Sequence, residues 1–176
     1  MSSIQVDRYD LEILNALQRD GRATNGTIGE KIHLSTSQVS RRIQRLEEAQ
    51  VIGQYAALLN AEIVGLGVEA FTFVTLGRHG DRHGDSHAES FERAVTDMPQ
   101  VLECISVTGE SDYIVRVVAP DLATFSDFMM KKLLRLPGVI NVKSTITLKK
   151  VKGTHVLPLD HITQPAQTER RLVFNR

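Results

Sequence analysis

The sequence predicts an α+β fold in two parts, an N-terminal winged helix-turn-helix domain followed by a C-terminal ferredoxin-like domain. Apolar residues recur every three or four positions through the first 50 residues, as they do on amphipathic helices. Farther along, strand-like and helical segments follow the order β-α-β-β-α-β, which is the ferredoxin-like arrangement. We expect the first domain at residues 1–60, a hinge at 61–67, the second domain at 68–157 and a mobile tail at 158–176.

Composition sets the broad class of protein. The 176-residue chain has 21 basic and 21 acidic residues, so any nucleic-acid contact must come from a local basic patch. Cys104 is the single cysteine, which excludes an intrachain disulfide and favours a reducing compartment. The first residues, MSSIQVDRYDLEIL, lack the features of a signal peptide, and no stretch approaches the roughly 18 apolar residues of a membrane span. We expect a cytoplasmic protein without membrane contact.

Three short helices are predicted in the first domain. Asp7 is placed to cap the first helix, the second follows Thr24 or Asn25, and the third begins after Ser35, a favourable N-cap residue. His33 occupies the tight corner before the third helix, and histidine tolerates a left-handed backbone there better than a β-branched residue does. Helices joined by such a corner predict a helix-turn-helix, and the following segment QYAALLN predicts a short strand pair or wing.

The third helix carries the residues that indicate a function. Val39, Ile43 and Leu46 form one inward face, and no acidic residue appears before Glu47. In a major groove, arginine pairs with guanine, glutamine pairs with adenine, and serine contacts phosphate or base edges. An ordinary amphipathic helix with a solvated basic face is the alternative. We predict that the side chains facing outward contact double-stranded DNA: Ser35, Ser37, Gln38, Ser40, Arg41, Arg42, Gln44 and Arg45.

The last strand of the second domain alternates apolar and polar residues, as expected of a sheet with one covered face. Its segment INVKSTITLKKV predicts four inward side chains: Ile140, Val142, Ile146 and Leu148.

Five segments of the chain resemble the family of leucine-responsive regulatory proteins and asparagine regulators (Lrp/AsnC). They are DRYDLEILNALQRDGR, LSTSQVSRRIQRLEEAQVI, YAALLN, TGESDY and LLRLPGV, and the resemblance spans about residues 6–157. It implies a transcription regulator whose C-terminal domain binds a small effector, often an amino acid. It also implies homo-oligomers, namely dimers that commonly assemble as an octamer of four dimers, and it implies neither an enzyme nor a cofactor.

The resemblance places an effector pocket at the turn GESDY. Glycine there lets the backbone approach a ligand, a carboxylate accepts an α-ammonium group, and the backbone N–H groups of a turn donate to an α-carboxylate. A plain turn between two strands is the alternative. The expected effector-binding residues are those of the turn and two on the last strand: Gly109, Glu110, Asp112, Tyr113, Thr145 and Thr147.

Three features depart from the family pattern. His33 stands where the family has glycine, the loop GRHGDRHGDSH is long, and a tail follows residue 158. His79, His83 and His87 recur every four residues in that loop, but the intervening glycines favour a polar loop over a metal site.

Two other functions stay open at this point. Sirohaem decarboxylases resemble the same family, so a decarboxylase-like enzyme is one alternative. A protein that bends DNA without sequence preference or ligand is the other. The chain has no Walker loop, no G-x-S-x-G sequence and no paired-cysteine zinc signature.

Overall fold

The N-terminal part of the chain folds as three helices, in agreement with the sequence. The computed structural model describes residues 2–77, 87–163 and 172–174. A short strand β1 (Ser2–Ile4) precedes helices α1 (Arg8–Arg19), α2 (Asn25–Ile32) and α3 (Thr36–Glu48). Side chains of Asp7, Thr24 and Ser35 cap the three helices by accepting hydrogen bonds from backbone N–H groups of the first turns. The helices share one apolar core, centred on four almost fully buried residues: Ile13, Ile28, Val39 and Leu46.

The corner between α2 and α3 is tight enough to select its residues. His33 ends α2 in the left-handed region, with φ 57° and ψ 42°, as the sequence predicts. A side chain on Gly29 would collide with the backbone carbonyl of Leu34, so the corner depends on this glycine as well.

The predicted wing is absent from this part of the chain. Residues 53–60 form neither helix nor strand. A strand pair needs a hydrogen-bonded partner, and the described pairings give this segment none.

The second part of the chain has the predicted β-α-β-β-α-β order. Its elements are β2 (Val68–Leu76), α4 (His87–Thr96), β3 (Val101–Ser106), β4 (Tyr113–Ala119), α5 (Leu122–Lys131), a 3-10 helix (Leu133–Arg135) and β5 (Val139–Ile146). The four strands form an antiparallel sheet in the order β3-β4-β2-β5, which confirms the ferredoxin-like topology.

Helices cover one face of this sheet and leave the other face open. Ala70, Val74, Val115 and Val117 point to the covered face and pack in one core with Phe91 of α4 and residues of α5. Because successive side chains of a strand point to opposite faces, the intervening residues of β2 and β4 lie on the open face.

The inward pattern predicted for the last strand holds at Val142 and Ile146, which lie opposite Val74 and Ala70 of the covered face, and is wrong at Ile140 and Leu148. Val142 packs against the core and Ile146, at the end of the strand, is 39% exposed, whereas Ile140 and Leu148 are 68% and 97% exposed. Strand β5 lies at the edge of the sheet, its pairing is irregular beside Leu76, and the strand ends at Ile146. The alternation of apolar and polar residues therefore continues in the sequence beyond the part of the sheet that could bury the apolar side chains.

The chain divides into a helical unit, residues 1–58 with 152–176, and a sheet unit, residues 59–151. The C-terminal residues were predicted to be a mobile tail, but those that the structure describes belong to the helical unit. The side-chain amide of Gln18 accepts a hydrogen bond from Leu157 N (2.6 Å) and donates one to Leu157 O (3.3 Å), and Leu159 packs against the helical core. Helix α6 (Asp160–Thr163) follows, and β6 (Leu172–Phe174) pairs with β1.

Among the helices in the described parts of the chain, none combines the length and the apolar character needed to cross a bilayer.

Candidate functional site

The first turn of α3 is held by its own polar residues. Gln38 N donates to Ser35 Oγ at 3.3 Å, and Ser35 N donates to Gln38 Oε1 at 2.9 Å, which makes a reciprocal capping box. The hydroxyl of Ser37 lies 3.1 Å from that of Ser35. Ser35 and Gln38, both predicted to contact DNA, therefore also fix where the helix begins.

Two of the three α3 arginines are engaged in ion pairs within the helical unit, which the sequence did not predict. Arg42 donates to Asp7 and Asp10 at 2.8 Å each, and Arg45 forms a short ion pair with Asp10. The Asp10 side chain is fully buried, whereas the Arg42 and Arg45 side chains are 24% and 46% exposed. The sequence did not reveal these pairs because α1 and α3 meet only in the folded chain.

The pairing has electrostatic consequences for Asp7 and Arg42. Burial raises the pKa of Asp7, but hydrogen bonds from Asp10 N and Arg42 outweigh it and hold the pKa below its ordinary value. Burial likewise lowers the pKa of Arg42, and the two carboxylates outweigh it, so the pKa is raised. The guanidinium therefore stays charged while it is tied to α1.

The exposed side of α3 has one arginine that is not tied in this way. Ser40 and Arg41 are exposed, and neither side chain forms a hydrogen bond or an ion pair with a residue that the structure describes. Gln44 is exposed too and donates to Glu48 at 2.9 Å. Together with Ser37, these residues form a polar surface that we call the outer stripe: Ser37, Ser40, Arg41 and Gln44.

A second candidate site lies in the sheet unit, where the turn between β3 and β4 borders a cleft of about 930 Å³. Strand register builds its floor: Phe73 of β2 lies directly opposite Ile114 of β4 and Lys143 of β5. Directly opposed residues of antiparallel strands share a face, so these three side chains stand together on the open face. The remaining lining comes from the β3–β4 connection and β5: Ser106, Val107, Thr108, Glu110, Ser111 and Thr145.

The cleft carries two opposite charges. Glu110 and Lys143 both line it, and within the described chain neither side chain has a hydrogen bond or an ion pair. An apolar floor beside a carboxylate and an ammonium group suits a ligand that carries both charges and an apolar substituent.

Two of the six predicted effector residues, Glu110 and Thr145, line this cleft. Gly109 and Asp112 shape the turn instead: Gly109 has φ 128°, and Asp112 Oδ2 accepts a hydrogen bond from Leu76 N at 2.7 Å. With its carboxylate bonded to β2, Asp112 is a structural residue of the turn.

Tyr113 and Thr147, also predicted to bind the effector, do not line the cleft. Tyr113 points to the covered face, where its ring lies 4.8 Å from that of Phe91 and its hydroxyl donates to Glu92 at 2.6 Å. Burial and this hydrogen bond raise the pKa of Tyr113 to about 12. Thr147 lies past the end of β5, where its N–H donates to Glu69 O.

Sequence reasoning missed Lys143 and Asp10. Lys143 could have been found from strand parity, because it alternates with Thr145 on β5 and so shares its face. From the sequence, Asp10 could be identified only as an acidic residue in the first turn of α1. No local pattern predicts its partners on α3.

The histidine loop cannot supply a site from the described residues. His79 and His83 lie outside them, and His87 begins α4. No cluster of three or more histidine, cysteine, aspartate or glutamate side chains within residues 2–77, 87–163 and 172–174 could hold a metal ion.

Family profiles match both units of the chain. The AsnC-type helix-turn-helix domain matches residues 6–47, and the Lrp/AsnC ligand binding domain matches residues 69–157. The chain is 37% identical over 155 residues to a Bkd operon transcriptional regulator of Pseudomonas aeruginosa, an alignment covering 88% of this chain and 99% of that protein. It is 38% identical over 149 residues to a leucine-responsive regulatory protein of Rhizobium meliloti, with 85% and 93% covered.

Solved structures agree with this assignment. A transcriptional regulator from Neisseria meningitidis in complex with L-Met superposes with a TM-score of 0.84 at 40% identity, covering 89% of this chain and 98% of that one. An AsnC family transcriptional regulator from Agrobacterium tumefaciens has a TM-score of 0.81 at 32% identity, with 89% and 99% covered. With an exposed polar stripe on α3 and a ligand-sized cleft in its sheet, this chain belongs to the Lrp/AsnC family of DNA-binding transcriptional regulators rather than to an enzyme family.

Proposed function

We propose that this regulator binds one operator through the outer stripe of α3 and that a free amino acid in the cleft of the sheet unit changes its grip on DNA. The observation that carries the proposal is a pair of charges, Glu110 and Lys143, that have no partner among the described residues and line a cleft of the domain that the family uses for ligands. It is supported by the relatives, of which several are leucine-responsive and one is a complex with L-Met.

The DNA contact follows from the chemistry of the stripe. An α-helix fits the major groove, where Arg41 can donate two hydrogen bonds to a guanine and Gln44 can pair with an adenine. Ser37 and Ser40 are short donors suited to phosphate oxygens or base edges. Arg42 and Arg45 stand beside the stripe, with their charge largely neutralised by α1.

The ligand contact follows from the cleft. Glu110 accepts the α-ammonium group, Lys143 pairs with the α-carboxylate, and Thr145 offers a hydroxyl beside them. Phe73, Val107 and Ile114 supply apolar surface, which favours an aliphatic side chain such as that of leucine or methionine over a charged one.

We further propose that the protein acts as a homo-oligomer, a dimer that assembles as an octamer of four dimers. Apolar side chains remain exposed on the open face of the sheet, including Phe71 (39%) and Ile105 (47%), and burial against another copy would remove them from water. Two α3 helices related by a two-fold axis would read half-sites one duplex turn apart. Light scattering during gel filtration, with and without ligand, tests the assembly.

The function is tested by selecting duplexes from a randomised pool with the purified protein, then titrating the selected duplex with each L-amino acid present in turn. We expect nanomolar binding that falls steeply with salt, and a clear change of affinity with an aliphatic amino acid. Selection of no sequence, together with uniform binding, would support the architectural alternative. Unchanged affinity with all amino acids and no heat of binding would exclude the proposed effector.

A further inference from the structure

Asp10 is a buried carboxylate that joins the start of α1 to two arginines of α3. Its Oδ1 accepts from Arg42 at 2.8 Å, and its Oδ2 accepts from Arg45 and from Asp7 N, the latter at 3.0 Å. The side chain has no exposed surface. A carboxylate removed from water in this way requires compensating charge, and both guanidinium groups that supply it come from α3.

Arg42 is held by three residues at the start of α1, although 24% of its side chain stays exposed. Besides Asp10 it binds Asp7 at 2.8 Å, and its guanidinium carbon lies 5.4 Å from the centre of the Tyr9 ring, within cation–π range. All three contacts belong to residues at the start of α1. Withdrawing Arg42 toward a phosphate would leave Asp10 partly unpaired inside the unit, which is strongly unfavourable.

Helical spacing divides α3 into two polar stripes. The outer stripe follows the spacing i, i+3, i+4 and i+7, which places its members on one side of the helix. A neighbouring stripe, which we call the inner stripe, follows i, i+4 and i+7 and is bonded to the helical unit itself: Gln38, Arg42 and Arg45. Arg41 is the arginine of the outer stripe.

We propose that Asp10 is a positioning residue for DNA recognition, which holds Arg42 and Arg45 against α1 and leaves Arg41 as the α3 arginine that reads bases. The inference rests on the proposed DNA-binding role of α3. The arrangement would favour sequence specificity. Three mobile guanidinium groups would attract any phosphate backbone, whereas a single fixed guanidinium beside two neutralised ones can discriminate between base pairs.

The first test compares two arginines with the same substitution. Arg41→Gln and Arg45→Gln remove equal charge four residues apart on one helix, and both side chains are exposed. With a duplex selected by the wild-type protein, we expect Arg41→Gln to weaken binding at least tenfold and Arg45→Gln to weaken it less than threefold. Equal losses would overturn the inference, while failure of the wild-type protein to select any duplex would instead remove the proposed function beneath it.

The second test removes the charge that holds Arg42 and Arg45 against α1. Asp10→Asn keeps the size of the side chain and removes its charge, so we expect at least a tenfold fall in the ratio of affinities for the selected duplex and for poly(dI-dC). The salt dependence should also steepen, by about 0.9 in the slope of log K against log salt for each released guanidinium that reaches a phosphate. A lower melting temperature with unchanged ratio and slope would mean that Asp10 only stabilises the fold, and would overturn its positioning role.

A milder variant covers the case in which Asp10→Asn does not fold. Asp7→Asn removes one partner of Arg42 at a side chain that is 51% exposed, and asparagine remains a good N-cap. It should shift the affinity ratio and the salt slope in the same direction by a smaller amount. No shift in either quantity from a folded Asp7→Asn protein would contradict the inference.

Discussion

The polar side of α3 and the cleft of the sheet unit are both candidate binding sites, but their charges are handled in opposite ways. On α3, Arg42 and Arg45 are paired with Asp10 before any ligand arrives. In the cleft, Glu110 and Lys143 have opposite charges and no partner among the described residues. A surface that meets a rigid polyanion gains from fixed, partly neutralised cations, whereas a cleft for a small zwitterion must keep its charges free to pair with the ligand.

The largest effects should come from removing a buried side chain from one hydrophobic core at a time. Such variants test whether the two sites depend on each other. Leu46 and Leu133 are each 0% exposed, in the helical and the sheet unit respectively. We expect either leucine-to-alanine change to cost its own unit about 2–5 kcal/mol of unfolding free energy. Calorimetric melting should show each change lowering the transition of its own unit. In binding titrations, Leu46→Ala should abolish DNA binding with ligand binding retained, and Leu133→Ala should do the reverse. A single shared transition lowered equally by both changes would show that the sites are not separable.

The free charges of the cleft predict the next largest effect. Glu110→Gln and Lys143→Met should each weaken amino-acid binding by about 10- to 100-fold, since each removes a charge-assisted hydrogen bond worth about 1.5–3 kcal/mol. Titration calorimetry measures this loss directly. Glu62→Gln and Lys132→Met change exposed charges of the same unit outside the cleft and should leave the affinity unchanged. Equal losses in these controls would mean a general electrostatic effect.

Substitutions of Asp112 test whether this residue shapes the cleft or contacts the ligand within it. Replacing it by alanine leaves Leu76 N without its acceptor and should lower the unfolding free energy by about 1–2 kcal/mol. Asparagine keeps an acceptor oxygen, so Asp112→Asn should recover most of this stability and of ligand affinity, as measured by urea unfolding and calorimetry. If Asp112→Asn bound the amino acid as poorly as Glu110→Gln, Asp112 would be a direct ligand contact.

The smallest effect is a pH dependence of the helical unit. The pKa of Asp7 is held below its ordinary value, so the carboxylate stabilises the fold at pH values above its pKa in the unfolded chain. This contribution is lost as the pH falls through the depressed value, below about pH 4. Melting temperatures from pH 7 to pH 3 should fall more for the wild-type protein than for Asp7→Asn. Parallel curves would show that the Asp7–Arg42 pair contributes nothing to stability.

Local patterns predicted what is local in this fold. The start of α3 was predictable because Ser35 and Gln38 lie three residues apart and cap each other, and its buried face because Val39 and Leu46 follow the helical repeat. The left-handed corner at His33 and the order of strands and helices were predictable for the same reason.

What the sequence did not predict are contacts between distant segments. The ion pair of Arg42 was missed because its partner Asp10 is 32 residues away in the chain. Tyr113 follows the turn directly, so its sequence position indicated the pocket, yet strand parity turns its ring into the core beside Phe91. Leu148 continues the apolar alternation past the end of β5, where it is 97% exposed.

The docking of the C-terminal segment at Gln18 makes the helical unit discontinuous in sequence, with the whole sheet unit inserted between its two pieces. Closing a chain over a long unfolded insertion costs more entropy than closing it over a folded one whose ends are held. Folding of the sheet unit therefore lowers the entropy cost of seating Leu157 and Leu159 on α1.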